Sequence, residues 1–352
     1  MTRLAGGTGI AAAWQLARQA YWTARRDPAA APHVARALVA TLALLPRWAI
    51  ASRLRRRPTL AIALVEHIGD IVAAEPIVRL ARATYPRHRL VWVTRPAFRA
   101  LAESLPAIDA VLTVPCLTGW QLLWQLGRFD VVWDLHLNRR DCPRCRVPLR
   151  KAGTAPLPEA ANYLHLGSLL AAQCRCAGLP RLDDGPRLLP PSQAVTAVDR
   201  LALPTPFVVL HGRSNEASKD WRNDGWHALV ARLLPAWDGA VVEVGLHPVA
   251  IPADTARTVN LCGRLSLLQT AEVIRRAALF VGIDSGPAHL ANAVGTPGVV
   301  LLGQYRDFRS YTPFSGGYAD GSRATLLRAA GPASELAVEA VFAAVMARLA
   351  AG

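Results

Sequence analysis

Phe280-Val281-Gly282-Ile283-Asp284-Ser285-Gly286-Pro287-Ala288-His289-Leu290-Ala291 runs an apolar stretch of strand length directly into a helix start. Gly286 permits close backbone approach, and Pro287 suits the first turn, where an N–H has no intrahelical acceptor. The open amides and the helix dipole together favour an anion such as a nucleotide diphosphate. His289 falls in the same first turn.

Outward from this junction, apolar runs alternate with helix-length segments. In the carboxyl half, strands are predicted at 207–211, 241–244, 279–283 and 298–302, with helices around 226–234, at 266–277 and at 287–294. In the amino half, strands at 60–65, 90–93, 110–114 and 131–135 alternate with helices at 71–85, 98–105 and 120–126. Such alternation predicts an α/β fold with parallel sheets, doubly wound in each half. Two such halves facing a cleft place ligands at the carboxyl ends of their strands. The Pro-rich passage 179–206 reads as a linker. The expected domains are a helical extension at 1–57, a Rossmann-like acceptor domain at 58–190, a Rossmann-like nucleotide-sugar domain at 191–332 and a terminal helix at 333–352.

Two further strand ends carry polar groups. After the first strand come Glu66, His67, Ile68, Gly69 and Asp70. Asp70 reads either as a general base open to the cleft or as the cap of a helix beginning at residue 71. Glu66 and His67 are placed to titrate with it or orient it. After the strand at 207–211 lies a polar loop bearing Lys219, either a phosphate-binding cation or a solvated side chain.

The net charge of +15 favours anionic partners: nucleic acid, anionic membrane or phosphorylated glycolipid. Almost all the positive charge is arginine; Lys151 and Lys219 are the two lysines. Scattered arginines without interleaved aromatics argue against a nucleic-acid-binding protein. Six cysteines in a chain of 352 residues do not form a disulfide scaffold. Cys142 and Cys145, with Cys174 and Cys176, supply four thiols in two clusters that could hold zinc tetrahedrally; reduced free cysteines and a redox pair are the other readings. No signal-peptide pattern is visible, so a cytoplasmic protein is expected. The extension is expected to form two or three helices broken near Asp27-Pro28 and at Pro46. An interfacial placement would set Trp14, Trp22 and Trp48 at headgroup depth and Arg53, Arg55, Arg56 and Arg57 on anionic lipid at the inner face of the cytoplasmic membrane; helices packed on the protein's own surface are the alternative, and a transmembrane helix is disfavoured by Pro46-Arg47.

Lys219-Asp220-Trp221 with Trp226, then Leu261-Cys262-Gly263-Arg264-Leu265-Ser266-Leu267, then Asp284 through Ala291 and Leu302-Gly303 form an ordered set. With Gly69-Asp70, Pro76 and Tyr85-Pro86, this set resembles glycosyltransferase family 9, which includes the ADP-heptose:lipopolysaccharide heptosyltransferases. The resemblance spans residues 58 to 350. It implies a GT-B enzyme that transfers sugar with inversion and without a bound metal or other cofactor, and the chain contains no Asp-x-Asp. By position, Asp70 would be the base that deprotonates the acceptor hydroxyl, and Gly69, Glu66 and His67 would lie on the acceptor side. Lys219 would hold the donor phosphates, while Asp284, Ser285, Gly286 and His289 would line the donor site. Asp284, unfavourable beside a diphosphate, is expected to accept sugar hydroxyls or tie its own loop. ADP-heptose is the default donor, and a phosphorylated glycolipid or glycan the acceptor. A sugar-nucleotide-binding protein without transfer activity is the alternative.

Overall fold

The computed structural model describes residues 3–4, 9–55, 57–127, 129–152, 157–249, 256–303 and 311–351. The chain divides into two compact units, one of Met1–His67 with Ala74–Leu182, the other of Ile68–Ala73 with Asp183–Gly352.

In the first unit, β1 (Arg3–Leu4) precedes α1 (Ile10–Arg26), α2 (Ala31–Arg55) and β2 (Thr59–Ala63). The chain then passes through α3 (Ile68–Ala73), which is counted with the second unit, and continues as α4 (Glu75–Thr84), β3 (Arg89–Thr94), α5 (Arg99–Glu103), β4 (Ala110–Thr113), α6 (Leu117–Leu126) and β5 (Val131–Asp134). The sheet order β4-β3-β2-β5 is parallel throughout. Of its two inner strands, β2 is buried along its whole length, as expected of a parallel strand covered on both faces. Beyond it lie β6 (Arg140–Asp141), β7 (Pro148–Leu149), β8 (Lys151–Ala152) and α7 (Leu169–Ala177). β6 and β7 pair as a short antiparallel hairpin, and β8 pairs antiparallel with β1.

Three expectations for this unit are corrected. The single helix predicted at 71–85 is two, because Pro76 has no N–H to donate into a preceding turn and instead occupies the first turn of α4. The helix predicted to break at Pro46 continues through it. Packing of α2 on α6, and a 2.7 Å hydrogen bond from Trp48 Nε1 to the Gly127 carbonyl, hold the segment on the far side of the proline. Trp48 is therefore only 4% exposed and cannot lie at headgroup depth, whereas Trp14 is 73% exposed. Arg57 is exposed; the side chains of Arg53, Arg55 and Arg56 lie outside the described residues.

The second unit holds α8 (Ser192–Asp199), β9 (Phe207–His211), α9 (Asn223–Ala236), β10 (Ala240–Glu243), β11 (Thr258–Asn260), α10 (Leu267–Arg276), β12 (Leu279–Ile283), α11 (Gly286–Val294), β13 (Gly298–Leu302), β14 (Ala324–Arg328) and α12 (Val338–Ala350). Its parallel sheet runs β11-β10-β9-β12-β13-β14. β9 and β12 are neighbours at its centre, so their carboxyl ends open side by side. The sheet thus brings the loops after residues 211 and 283 together. The expected linker is partly helical: α8 packs on α10, and Arg276 bonds Asp199 at 2.8 Å. Ser266 and Gln269 form a reciprocal capping box that starts α10. Gly295 ends α11 in the left-handed conformation, with φ of 85°.

Candidate active site

β12 delivers Asp284 at its carboxyl end, and Ser285 is the extended residue from which α11 departs. The Ser285 hydroxyl donates to the Ile283 carbonyl at 3.1 Å, which ties the turn to the strand it leaves. Gly286 opens the helix with Pro287 behind it, so the N–H groups of this turn face outward along the dipole.

Lys219, at the end of a 3-10 turn after β9, donates from Nζ to Asp284 Oδ2 at 2.8 Å. The solvated reading of Lys219 is thereby corrected. Asp284, 7% exposed, answers its unfavourable position by pairing with this cation rather than by closing on its own loop. Asp220 fixes the Lys219 loop by accepting from the Ser214 N–H and hydroxyl, each at 2.8 Å. Trp221 anchors the loop's far end, with Nε1 donating to the Leu336 carbonyl at 2.9 Å and its ring edge-on to Trp226.

His289 is buried and lies 4.8 Å, centroid to centroid, from Phe314. Burial pushes its pKa down to about 4, against the attraction of Asp284 and with the help of Lys219. The imidazole is therefore neutral at neutral pH and adds no charge to the loop.

α3 packs on α11 within the same unit. The contact needs glycine: a Cβ on Gly69 would stand 2.6 Å from His289 Cδ2, and one on Gly286 would meet Ile68 at 3.1 Å. Asp70 follows Gly69 directly and is half-buried. α3 begins at Ile68, so Asp70 is its third residue and not its cap, which corrects that alternative. A carboxylate in the first turn is favoured by the helix dipole. Asp70 and the loop at Asp284–His289 thus belong to one unit, joined through the Gly69–His289 contact.

Glu66 and His67 close the preceding segment in the first unit. Glu66 is buried and ion-paired with Arg140, while His67 is exposed at φ 50°. The ion pair assigns Glu66 to the hairpin side.

Two groups escaped the sequence reading. Arg328, the last residue of β14, lies within electrostatic reach of Asp284 and donates to Thr312 Oγ1 at 2.9 Å. Its strand is largely half-exposed, so no apolar run announced it. The second is a buried network at the carboxyl end of β5. Lys151 Nζ donates to the Asp134 carbonyl at 2.8 Å and to that of His136, and lies 3.3 Å from Asp134 Oδ2. His136 Nε2 accepts the Val65 N–H at 3.0 Å, so the ring carries its proton on Nδ1 and donates it to Asp134 Oδ1 at 2.5 Å. Scarcity of lysine flagged Lys151, but nothing local named its partners.

The four-thiol expectation is also revised. Cys142 and Cys145 converge with Cys116, whereas Cys174 and Cys176 lie on α7 and take no part in that group.

Residues 183–314 match the family model described as glycosyltransferase family 9 (heptosyltransferase). The resemblance carried by the motifs holds. The matched stretch contains Lys219, Asp284, Ser285, Gly286 and His289. Lipopolysaccharide heptosyltransferase 3 of Escherichia coli (strain K12) is 27% identical over 114 residues, which are 30% of this chain and 33% of that protein. The chain thus spans about a third of the length of the first curated relatives it matches. Among solved structures, a family 9 glycosyltransferase from Veillonella parvula DSM 2008 superposes with a TM-score of 0.64 at 16% identity, covering 84% of this chain and 98% of the other. E. coli heptosyltransferase WaaC with ADP-2-deoxy-2-fluoro heptose gives a TM-score of 0.56 at 17% identity, covering 82% of this chain and 99% of the other. These likenesses establish the fold class as α/β of the GT-B kind, with two Rossmann-like units.

Proposed function

We propose that this protein is an inverting glycosyltransferase that moves a sugar from a nucleotide donor, ADP-heptose by default, to a lipopolysaccharide-type or other cell-surface glycan acceptor, with no metal at the reacting centre. The observation that carries the reading is the Lys219–Asp284 pair at the mouth of α11, inside the stretch matched to family 9. Outward-facing amides, a lysine and the nearby Arg328 supply positive potential where a departing diphosphate develops charge. Asp70 would take the acceptor proton as its oxygen attacks the anomeric carbon, the bond to the nucleotide breaking on the opposite side.

ADP raises the melting temperature of the folded chain in this reading, by mass action on the native state. Lys219→Ala loses a charged hydrogen bond to the phosphate and weakens ADP by about 10-fold or more. Calorimetric titration of both proteins checks this. Equal affinities, or no binding of any nucleotide diphosphate, would end the donor-site assignment.

We further propose that α1 rests on an anionic membrane surface from the cytoplasmic side. Ile10, Trp14 and Tyr21 share one exposed face of α1, with Trp22 beside it and Arg25 over its ring at 6.0 Å. By length and composition alone, Pro28–Pro46 is also long and apolar enough to cross a membrane. Co-sedimentation with phosphatidylglycerol vesicles is expected, weakened about 10-fold by Trp14→Ala through lost apolar burial. Equal partitioning of the parent to neutral and anionic vesicles would contradict the anionic surface.

A further inference from the structure

Cys116 is the residue from which α6 departs, just beyond β4, and Cys142 and Cys145 sit on the turn of the β6–β7 hairpin. Their three sulfur atoms lie within 4.8 Å of one another, with Cys116 Sγ 3.5 Å from Cys145 Sγ. All three residues are buried. A disulfide would use two of these sulfurs and leave the third beside it. One tetrahedral ion with bonds of about 2.3 Å would accept all three at mutual separations of about 3.8 Å.

The surrounding backbone is shaped for sulfur ligands that carry charge. The Cys145 N–H points to Cys142 Sγ at 3.5 Å, and the Gly119 N–H donates to Cys116 at the start of α6. The buried Thr118 hydroxyl lies near Cys142 and has no hydrogen-bond partner among the described residues. The turn is closed by Cys142 N–H to the Val147 carbonyl and Arg146 N–H to the Cys142 carbonyl, both 2.8 Å. It holds Arg146 at φ 56°, a conformation that persists only where the surroundings over-determine it. Arg95 lies within electrostatic reach of Cys116 and Cys142, and so would offset the single negative charge left by a dication on three thiolates.

We propose that Cys116, Cys142 and Cys145 hold one zinc ion as three thiolates, with water or a small exogenous ligand in the fourth position. The ion clamps the β6–β7 hairpin to the start of α6. Each thiol gives up its proton on binding, and no electron is transferred. The clamp is structural, and it is independent of the metal-free transfer chemistry proposed above.

Mass-spectrometric metal analysis of the full chain, purified without chelator and supplied with zinc, should find about one zinc per chain. Cys116→Ser and Cys142→Ser should each lower affinity by more than the roughly 10–100-fold commanded by outer-shell partners. Paired Cys174→Ser and Cys176→Ser substitutions should leave the metal in place. Because a buried variant can fail to fold, the parent protein loaded with cobalt provides a second readout, an intense near-ultraviolet sulfur-to-metal absorption. Absence of both zinc and that band, a disulfide within the trio, or metal loss on changing Cys174 and Cys176 would overturn the proposal.

Discussion

Asp70→Asn lowers turnover by about 10²-fold or more while ADP affinity stays within about twofold of the parent. Asparagine keeps the size and place of the side chain, on the third residue of α3, and removes its charge and with it the capacity to take a proton. The accompanying loss of helix-dipole stabilisation is about 0.3–1 kcal/mol, too small to unfold the chain and too small to imitate a catalytic defect of this size. Gly69 is untouched, so its contact with His289 and the mouth of α11 persist. Single-turnover transfer from a nucleotide sugar, measured beside calorimetric ADP binding, separates chemistry from donor affinity. Near-parental turnover in this variant would remove Asp70 from the mechanism.

Lys151→Met has the largest expected effect on stability, a loss of about 3–5 kcal/mol in denaturant unfolding. It strips the cation from Asp134, which is 1% exposed. Burial drives the Asp134 carboxyl up, but Lys151 first and His136 second overcome it and hold the pKa at about 2. A carboxyl depressed below its unfolded value of about 3.9 stabilises the fold above that pH, and the contribution disappears as pH falls from about 4 through about 2. In Lys151→Met the principal depressing charge is gone, so acid sensitivity moves to higher pH. Adding Asp134→Asn should recover part of the loss, since it removes the stranded charge. A single variant within about 0.5 kcal/mol of the parent would show that the network carries no such weight.

Much of the fold was legible because its determinants are local. The runs at Phe207–His211, Leu279–Ile283 and Gly298–Leu302 match the predicted strands end to end, each mostly apolar and buried along its whole length. β11 and β14 were missed because one has three residues and the other is mostly half-exposed, leaving no apolar run to read. Pro46 misled in the opposite direction. Its local preference against a helix interior was outweighed by packing of α2 on α6, contacts with residues about 80 positions away.

The candidate site divides along the same line. Strand, glycine, proline and helix are contiguous at Phe280–Ala291, so the amide mouth of α11 was determined by sequence alone, through φ preferences and hydrophobic period. Which charge answers Asp284, which ring Gly69 must clear, and which third sulfur joins Cys142 and Cys145 were decided only by tertiary structure. Those partners lie 65, 220 and more than 25 positions away along the chain. Neighbours at such separations are selected by sheet order and helix packing, which no short window of residues encodes.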